Sequence, residues 1–119
     1  MDDYRDEFLE ITGKCERLYP ETTSEFKNIM KEQYLLFCKK QLNYGPGNIS
    51  LGTECRNDDD VKLSLTGLWF RMNDKINRLK QLVVLDKPDL VNESITDTYQ
   101  DLSIYNIIAQ LVLNKKWGK

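Results

Sequence analysis

Every long stretch of this chain repeats its apolar residues at three- and four-residue intervals, and no stretch alternates them over strand length. That spacing is the surface pattern of an amphipathic helix, so the chain is expected to fold as all-α with four main helices and no sheet of consequence. Tyr4, Phe8, Ile11, Cys15 and Leu18 mark a first helix, which Pro20 is expected to stop. Thr22, Thr23 or Ser24 then caps a second helix, Ser24 to Leu42, carrying Phe26, Ile29, Met30, Leu36 and Phe37. The turn formers in Asn43-Tyr44-Gly45-Pro46-Gly47-Asn48 end it. Asn48 to Asp60 reads as a loop of functional length, with Asp58, Asp59 and Asp60 placed to cap and charge the start of the next helix.

A third helix is expected from about Val61 to Val84, with Leu65, Leu68, Trp69, Met72, Ile76, Leu79 and Leu82 or Val83 along one stripe. Arg71, Asp74, Lys75 and Arg78 lie together on the other side; Asp74 can pair with Arg71 or Arg78. A short connection through Pro88 leads to a fourth helix, Asn92 to Leu113, on which Glu93, Asp97 and Asp101 recur every four residues. At about 100° per residue they form one acidic stripe on a helix that is otherwise apolar nearly all round. Like charges at that spacing repel, so a divalent cation or facing Lys and Arg side chains should offset them. The competing expectation is a solvated face, with only Glu93 favoured by the helix dipole. Trp117, in the charged tail, either folds back on the core or serves an interface.

The composition removes several chemistries. The 119 residues include no histidine, so imidazole bases, imidazole zinc ligands and histidine-activated nucleophiles are excluded. Cys15, Cys38 and Cys55 are an odd, scattered set, neither a disulfide framework nor a zinc signature. A net charge of −2 and the lack of a dense basic run argue against duplex nucleic acid as a partner. No apolar run is long enough to span a membrane, and the acidic start is unlike a signal peptide, so a cytoplasmic protein is expected. The length fits a single domain, residues 1–119. A helix as apolar as Ile104 to Leu113 leads us to expect self-association, a homodimer or higher homo-oligomer.

Two antiparallel helices joined by a short linker would face Glu93, Asp97 and Asp101 across a pocket from Arg71, Asp74, Lys75 and Arg78. Carboxylates on facing helices suit Mg²⁺ or Mn²⁺, and neighbouring Lys and Arg suit phosphate oxygens. Tyr44 and Asn48 would add an aromatic surface and an amide for a base or sugar. Three functions from different classes are compatible with such a pocket. They are a metal-dependent nucleotide hydrolase, a nucleotide-sequestering protein without catalysis, and a structural helical module held by an internal salt-bridge network.

The stretches YGPGN at Tyr44 to Asn48, LWFRMNDKINRLKQL at Leu68 to Leu82 and ESITDTYQDLSIYNIIAQLVL at Glu93 to Leu113 together resemble the phage and bacterial nucleotide modification associated domain, type one. Their arrangement is also similar to the all-α MazG and dimeric dUTPase-like nucleoside triphosphate pyrophosphohydrolases. The resemblance implies a Mg²⁺-dependent nucleotide pyrophosphohydrolase in phage nucleotide or modified-base metabolism. By it, Asp74, Glu93, Asp97 and Asp101 would be metal or water ligands and Arg71, Lys75 and Arg78 phosphate contacts. The chain departs from the ExxE and ExxD pairs of MazG-type proteins, since its first metal helix offers Asp74 alone.

Overall fold

The computed structural model describes residues 2–119. Five α-helices follow one another, and there is no strand among the described residues. They are α1 (Asp2–Leu18), α2 (Pro20–Tyr44), α3 (Gly47–Ser50), α4 (Asp58–Leu79) and α5 (Ile95–Leu113). The all-α expectation therefore holds, with four long helices and one short one. The chain divides into two compact units, Met1–Leu36 and Phe37–Lys119.

The first unit is an almost continuous helical arm. Pro20 does not stop a helix with a loop after it; Tyr19 alone separates α1 from α2, and Pro20 is the first residue of α2. Proline is favoured there because the first turn needs no donor and its fixed φ suits a helix. Helical bonding continues on both sides, Tyr19 N–H to the Cys15 carbonyl at 2.8 Å and Thr23 N–H to the Tyr19 carbonyl at 3.0 Å. Thr22, Thr23 and Ser24 consequently lie inside α2, where the Thr23 hydroxyl donates back to the Tyr19 carbonyl at 3.0 Å. The Lys27 ammonium meets Glu16 at 2.6 Å although eleven residues separate them. Eleven residues rise about 16 Å along a straight helix, so the axis bends at Pro20 to bring the two together. Neither α1 nor α2 contains a buried residue among those described.

The second unit holds the core. Three pairings fix α4 and α5 as antiparallel neighbours: Arg71 with Tyr105, Lys75 with Asp101, and Arg78 with Thr98. Between them Leu68 meets the buried face of α5, where Ile104, Ile108 and Val112 recur every four residues. Ile49 of α3, Cys55, Val61 and Trp117 are the other buried apolar residues. The α4 stripe read from the sequence is only partly inside: Leu68 is buried, while Trp69, Ile76 and Val83 are at least half exposed. Likewise α5 is covered on one face only, and Ile107 and Leu113 point out.

Local signals account for the helix ends. Asn57 is the cap of α4, its side-chain oxygen accepting from Asp60 N–H at 2.9 Å, which leaves Asp58, Asp59 and Asp60 in the first turn facing the positive end of the dipole. The far end of α4 widens into a π-helical turn over Lys80–Val84, closed by Leu85 N–H on the Lys80 carbonyl at 2.9 Å. Asp86, at φ 53°, then turns the chain out of the helix. Ser94 caps α5, its hydroxyl accepting from Asp97 N–H at 3.4 Å. The fourth helix therefore starts three residues later than its composition suggested, and Glu93 lies on the approach to it. Beyond α5, Lys115 adopts φ 56° while Lys116 N–H reaches back to the Leu111 carbonyl at 2.9 Å, the bond that closes many helix ends.

That reversal returns the tail to the core. Trp117 is buried, its indole N–H donates to the Pro46 carbonyl at 2.9 Å, and its ring meets Phe37 edge-on at 6.2 Å. Gly118 makes the approach possible: at φ 73° a side chain is strained, and a Cβ there would sit 2.9 Å from Pro46 Cβ. No helix among the described residues is long and apolar enough to cross a membrane.

Candidate functional site

The antiparallel pairing of α4 and α5 puts three cations of α4 opposite the polar face of α5 and the linker before it. Lys75 is the centre of this network. Its ammonium lies 3.1 Å from Asp101 and 3.9 Å from Glu93. The hydrogen bond to Asp101, opposed by burial and reinforced by the charges of Asp101 and Glu93, raises the Lys75 pKa. Lys40, from the last turns of α2, approaches the other oxygen of Asp101 at 3.9 Å. Asp101 is therefore held from two sides.

Arg78 does a different job. Its Nε donates to the Thr98 hydroxyl at 3.1 Å, and Nη2 donates to the Glu93 carbonyl and, at 3.3 Å, to Asp89. The Glu93 carboxylate lies 3.8 Å from Nε. Thr98 is fully buried, so this guanidinium clamps the linker and the first turn of α5 onto α4. Desolvation would push the Asp89 carboxyl up. The Val91 N–H, the hydrogen bond and charge of Arg78 and the Asn92 N–H together outweigh it and hold Asp89 below the usual carboxylate range.

Arg71 stands apart from both, at the mouth of a cleft. Its Nη2 donates to the Asn48 carbonyl at 2.8 Å, and the guanidinium lies over the Tyr105 ring at 6.0 Å. The cleft has a volume of about 170 Å³. Its walls are aromatic and aliphatic, Phe37, Tyr44, Tyr105 and Trp117 with Ile104 and Ile108, and its polar rim is Lys40, Gln41, Asn48, Arg71 and Asp101. Two cations face one carboxylate, and Lys75 already neutralises that carboxylate. The rim is net positive.

Of the residues singled out from the sequence, Tyr44, Asn48, Arg71 and Asp101 come together around this cleft. Lys75, Arg78 and Glu93 join them only through the ion-pair network behind Asp101. Asp74 and Asp97 are exposed, do not line the cleft, and make no ion pair among the described residues. The pairing of Asp74 with Arg71 or Arg78 is thus not formed. Nor do any three Asp, Glu or Cys side chains, among the described residues, come together as ligands for a metal ion. Of the acidic stripe, Asp101 and Glu93 are offset by lysine and arginine in this arrangement, and Asp97 is not.

Sequence reasoning passed over Lys40, Phe37 and Tyr105. Phe37 read as one of the apolar positions of the second helix, and neither Lys40 nor Tyr105 stands out by spacing. The YGPGN turn was the signal that was available: it presents Tyr44 and Asn48 to the cleft, and its Pro46 carbonyl anchors the indole of Trp117. Comparison with protein-family models, curated proteins and solved structures gave no match to this chain.

Proposed function

We propose that the second unit binds a nucleotide, with the base or sugar in the aromatic cleft and the phosphates on Lys40 and Arg71 at its rim. The observation that carries this reading is the coincidence of a net-positive rim with an aromatic interior. Ligand pockets usually exceed about 300 Å³, so a cleft of about 170 Å³ admits only the ring portion of such a ligand and leaves its charged end outside. Arg71 is suited to that end. One of its five donors is committed to Asn48, the ring of Tyr105 supports the plane, and the remaining fork is open to a bidentate phosphate. The resemblance to the nucleotide modification associated domain supports the same ligand class, since all three stretches that carry it reach this cleft, through Tyr44 and Asn48, Arg71, and Asp101 with Tyr105.

A hydrolytic reading is second. Asp97 is exposed and lies one helical turn from Asp101, so two carboxylates stand near the rim on one face of α5. Mg²⁺ commonly uses one or two carboxylates together with substrate phosphates. In that reading Mg²⁺ or Mn²⁺ arrives with the nucleotide, and Asp97 and Asp101 would hold it and supply the charge that orients an attacking water. Glu93 and Arg78 would act through the fold.

The test is calorimetric titration of the full chain with nucleoside mono-, di- and triphosphates, each with and without Mg²⁺, followed by chromatography of the products. We expect dissociation constants below about 1 mM, weakened at least tenfold by Arg71→Met, about 1.4 kcal/mol. No heat from any nucleotide up to several millimolar would overturn the binding reading. Binding without product would leave sequestration and remove hydrolysis.

A further inference from the structure

We propose that the cleft is built for a nucleoside monophosphate, and that a longer phosphate chain binds well only with a divalent cation to mask its extra charge. This rests on the nucleotide reading above and narrows it to one ligand class. The rim sets the charge that a ligand can bring. Lys40 and Arg71 reach it from α2 and α4, and its one carboxylate, Asp101, is already held by Lys75 at 3.1 Å. Lys40 stands 3.9 Å from Asp101, too far for a hydrogen bond, and its side chain is about half exposed. Its three donors can therefore turn to a ligand while Asp101 keeps Lys75 as its partner. Arg71 spends one donor on the Asn48 carbonyl and keeps the rest. With Asp101 neutralised, two positive charges face the opening. A phosphate monoester carries about −1.5 to −2 at neutral pH, which those two charges match.

The direction in which a phosphate chain would grow is also fixed. On α5 the lining residues run from Asp101 through Ile104 and Tyr105 to Ile108, about 10 Å along the helix. The apolar end is at Ile108 and the charged end at Asp101, so a ring seated among the aromatic side chains sends its phosphate out past Asp101. One turn farther that way the polar face changes sign. Asp97 precedes Asp101 by four residues on α5, and Asp74 follows Arg71 by three on the antiparallel α4. Both carboxylates are exposed, and neither makes an ion pair among the described residues. The next cation, Arg78, is committed to Thr98, Asp89 and the Glu93 carbonyl. A second and third phosphate would thus meet like charge with no free cation to offset it. No three Asp, Glu or Cys side chains among the described residues gather to hold a metal there, so a masking cation has to arrive on the nucleotide.

The experiment is calorimetric titration of the full chain with the common ribo- and deoxyribonucleosides and their 5′-mono- and triphosphates, in a chelator and again in Mg²⁺. For the preferred base, the monophosphate should bind at least about tenfold more tightly than the nucleoside, and in chelator at least about fivefold more tightly than the triphosphate. Mg²⁺ should bring the triphosphate up at least about threefold. Asp74→Asn combined with Asp97→Asn, both exposed positions, should narrow the gap between mono- and triphosphate in chelator at least about twofold. Triphosphate binding as tight as monophosphate without metal would overturn the proposal and leave the nucleotide reading standing. So would a gap that the double substitution does not change, or a nucleoside that binds as well as its monophosphate. Failure of every member of the series to bind would overturn the proposal together with the reading it rests on.

Discussion

Replacing Arg78 by Met separates the clamp that holds the fold from the residues proposed to hold a ligand. The side chain is 15% exposed, and methionine keeps much of its aliphatic stem, so the loss is chiefly electrostatic. Four contacts disappear: the bond to the Thr98 hydroxyl at 3.1 Å, the bond to the Glu93 carbonyl, the pair with Asp89 at 3.3 Å and the pair with the Glu93 carboxylate at 3.8 Å. A hydrogen bond involving a charged group is worth about 1.5–3 kcal/mol, and removing one partner from a buried charged pair costs about 3–5 kcal/mol. Two features moderate that cost. Thr98 still donates to the Ser94 carbonyl at 3.4 Å, and the Glu93 and Asp89 groups are reached by water once released. The expected loss is about 3 kcal/mol, or roughly 12–24 °C in melting temperature for a cooperative unit of this size. The assay is thermal unfolding by circular dichroism, with Arg71→Met as the comparison. Arg71 anchors on a single exposed carbonyl, so its replacement should cost under about 1 kcal/mol while weakening nucleotide binding. An Arg78→Met protein melting within about 3 °C of the wild type would refute the reasoning, because the linker and the start of α5 would then be held by something else.

Asp97→Asn should change stability by no more than about 0.5–1 kcal/mol, since the carboxylate is exposed and contributes only at the helix N-terminus; a larger loss in the melt would contradict its placement. Trp117→Ala should cost about 3–5 kcal/mol by chemical denaturation, because a buried indole and its bond to Pro46 are lost together, and a small change would mean the tail is not docked. The two shifted groups set the pH response. Lys75, raised from 10.5, contributes stability that is complete below that pH and is lost as pH rises through its folded value. Asp89, lowered from 3.8, contributes stability present above that pH and lost as pH falls through its lower folded value. Melting temperatures of wild type and Lys75→Met should therefore stay parallel around neutral pH and converge as pH rises above 10.5.

Helix identity was legible because apolar spacing is a local property: α4 and α5 declare themselves in the positions of Leu68, Met72, Ile104, Ile108 and Val112. Their ends were less so. Glu93 has the spacing to join the stripe of Asp97 and Asp101, yet α5 begins only at Ile95, with the Ser94 hydroxyl accepting from the Asp97 N–H. Pro20 looked like a stop because proline breaks helix interiors, whereas its position at the first residue of α2, just after Tyr19, lets it open the next helix. The basic side chains of α4 and the acids of α5 were expected to meet, and Lys75 with Asp101 and Arg78 with Glu93 do. What periodicity cannot convey is closure between distant segments. Lys40, Tyr105 and Trp117 reach one cleft through the antiparallel return of α5 and the left-handed turn at Lys115, and neither leaves a periodic trace.

The fluorescence of Trp117 tests nucleotide binding at the cleft most directly. The chain has two tryptophans, and Trp69→Phe, an exposed position, leaves Trp117 as the single reporter inside the cleft. Titration with a nucleoside triphosphate and Mg²⁺ should change its emission saturably, and adding Arg71→Met should shift the midpoint at least tenfold higher. Saturable binding seen by calorimetry with no change in Trp117 emission and no dependence on Arg71 would contradict the account.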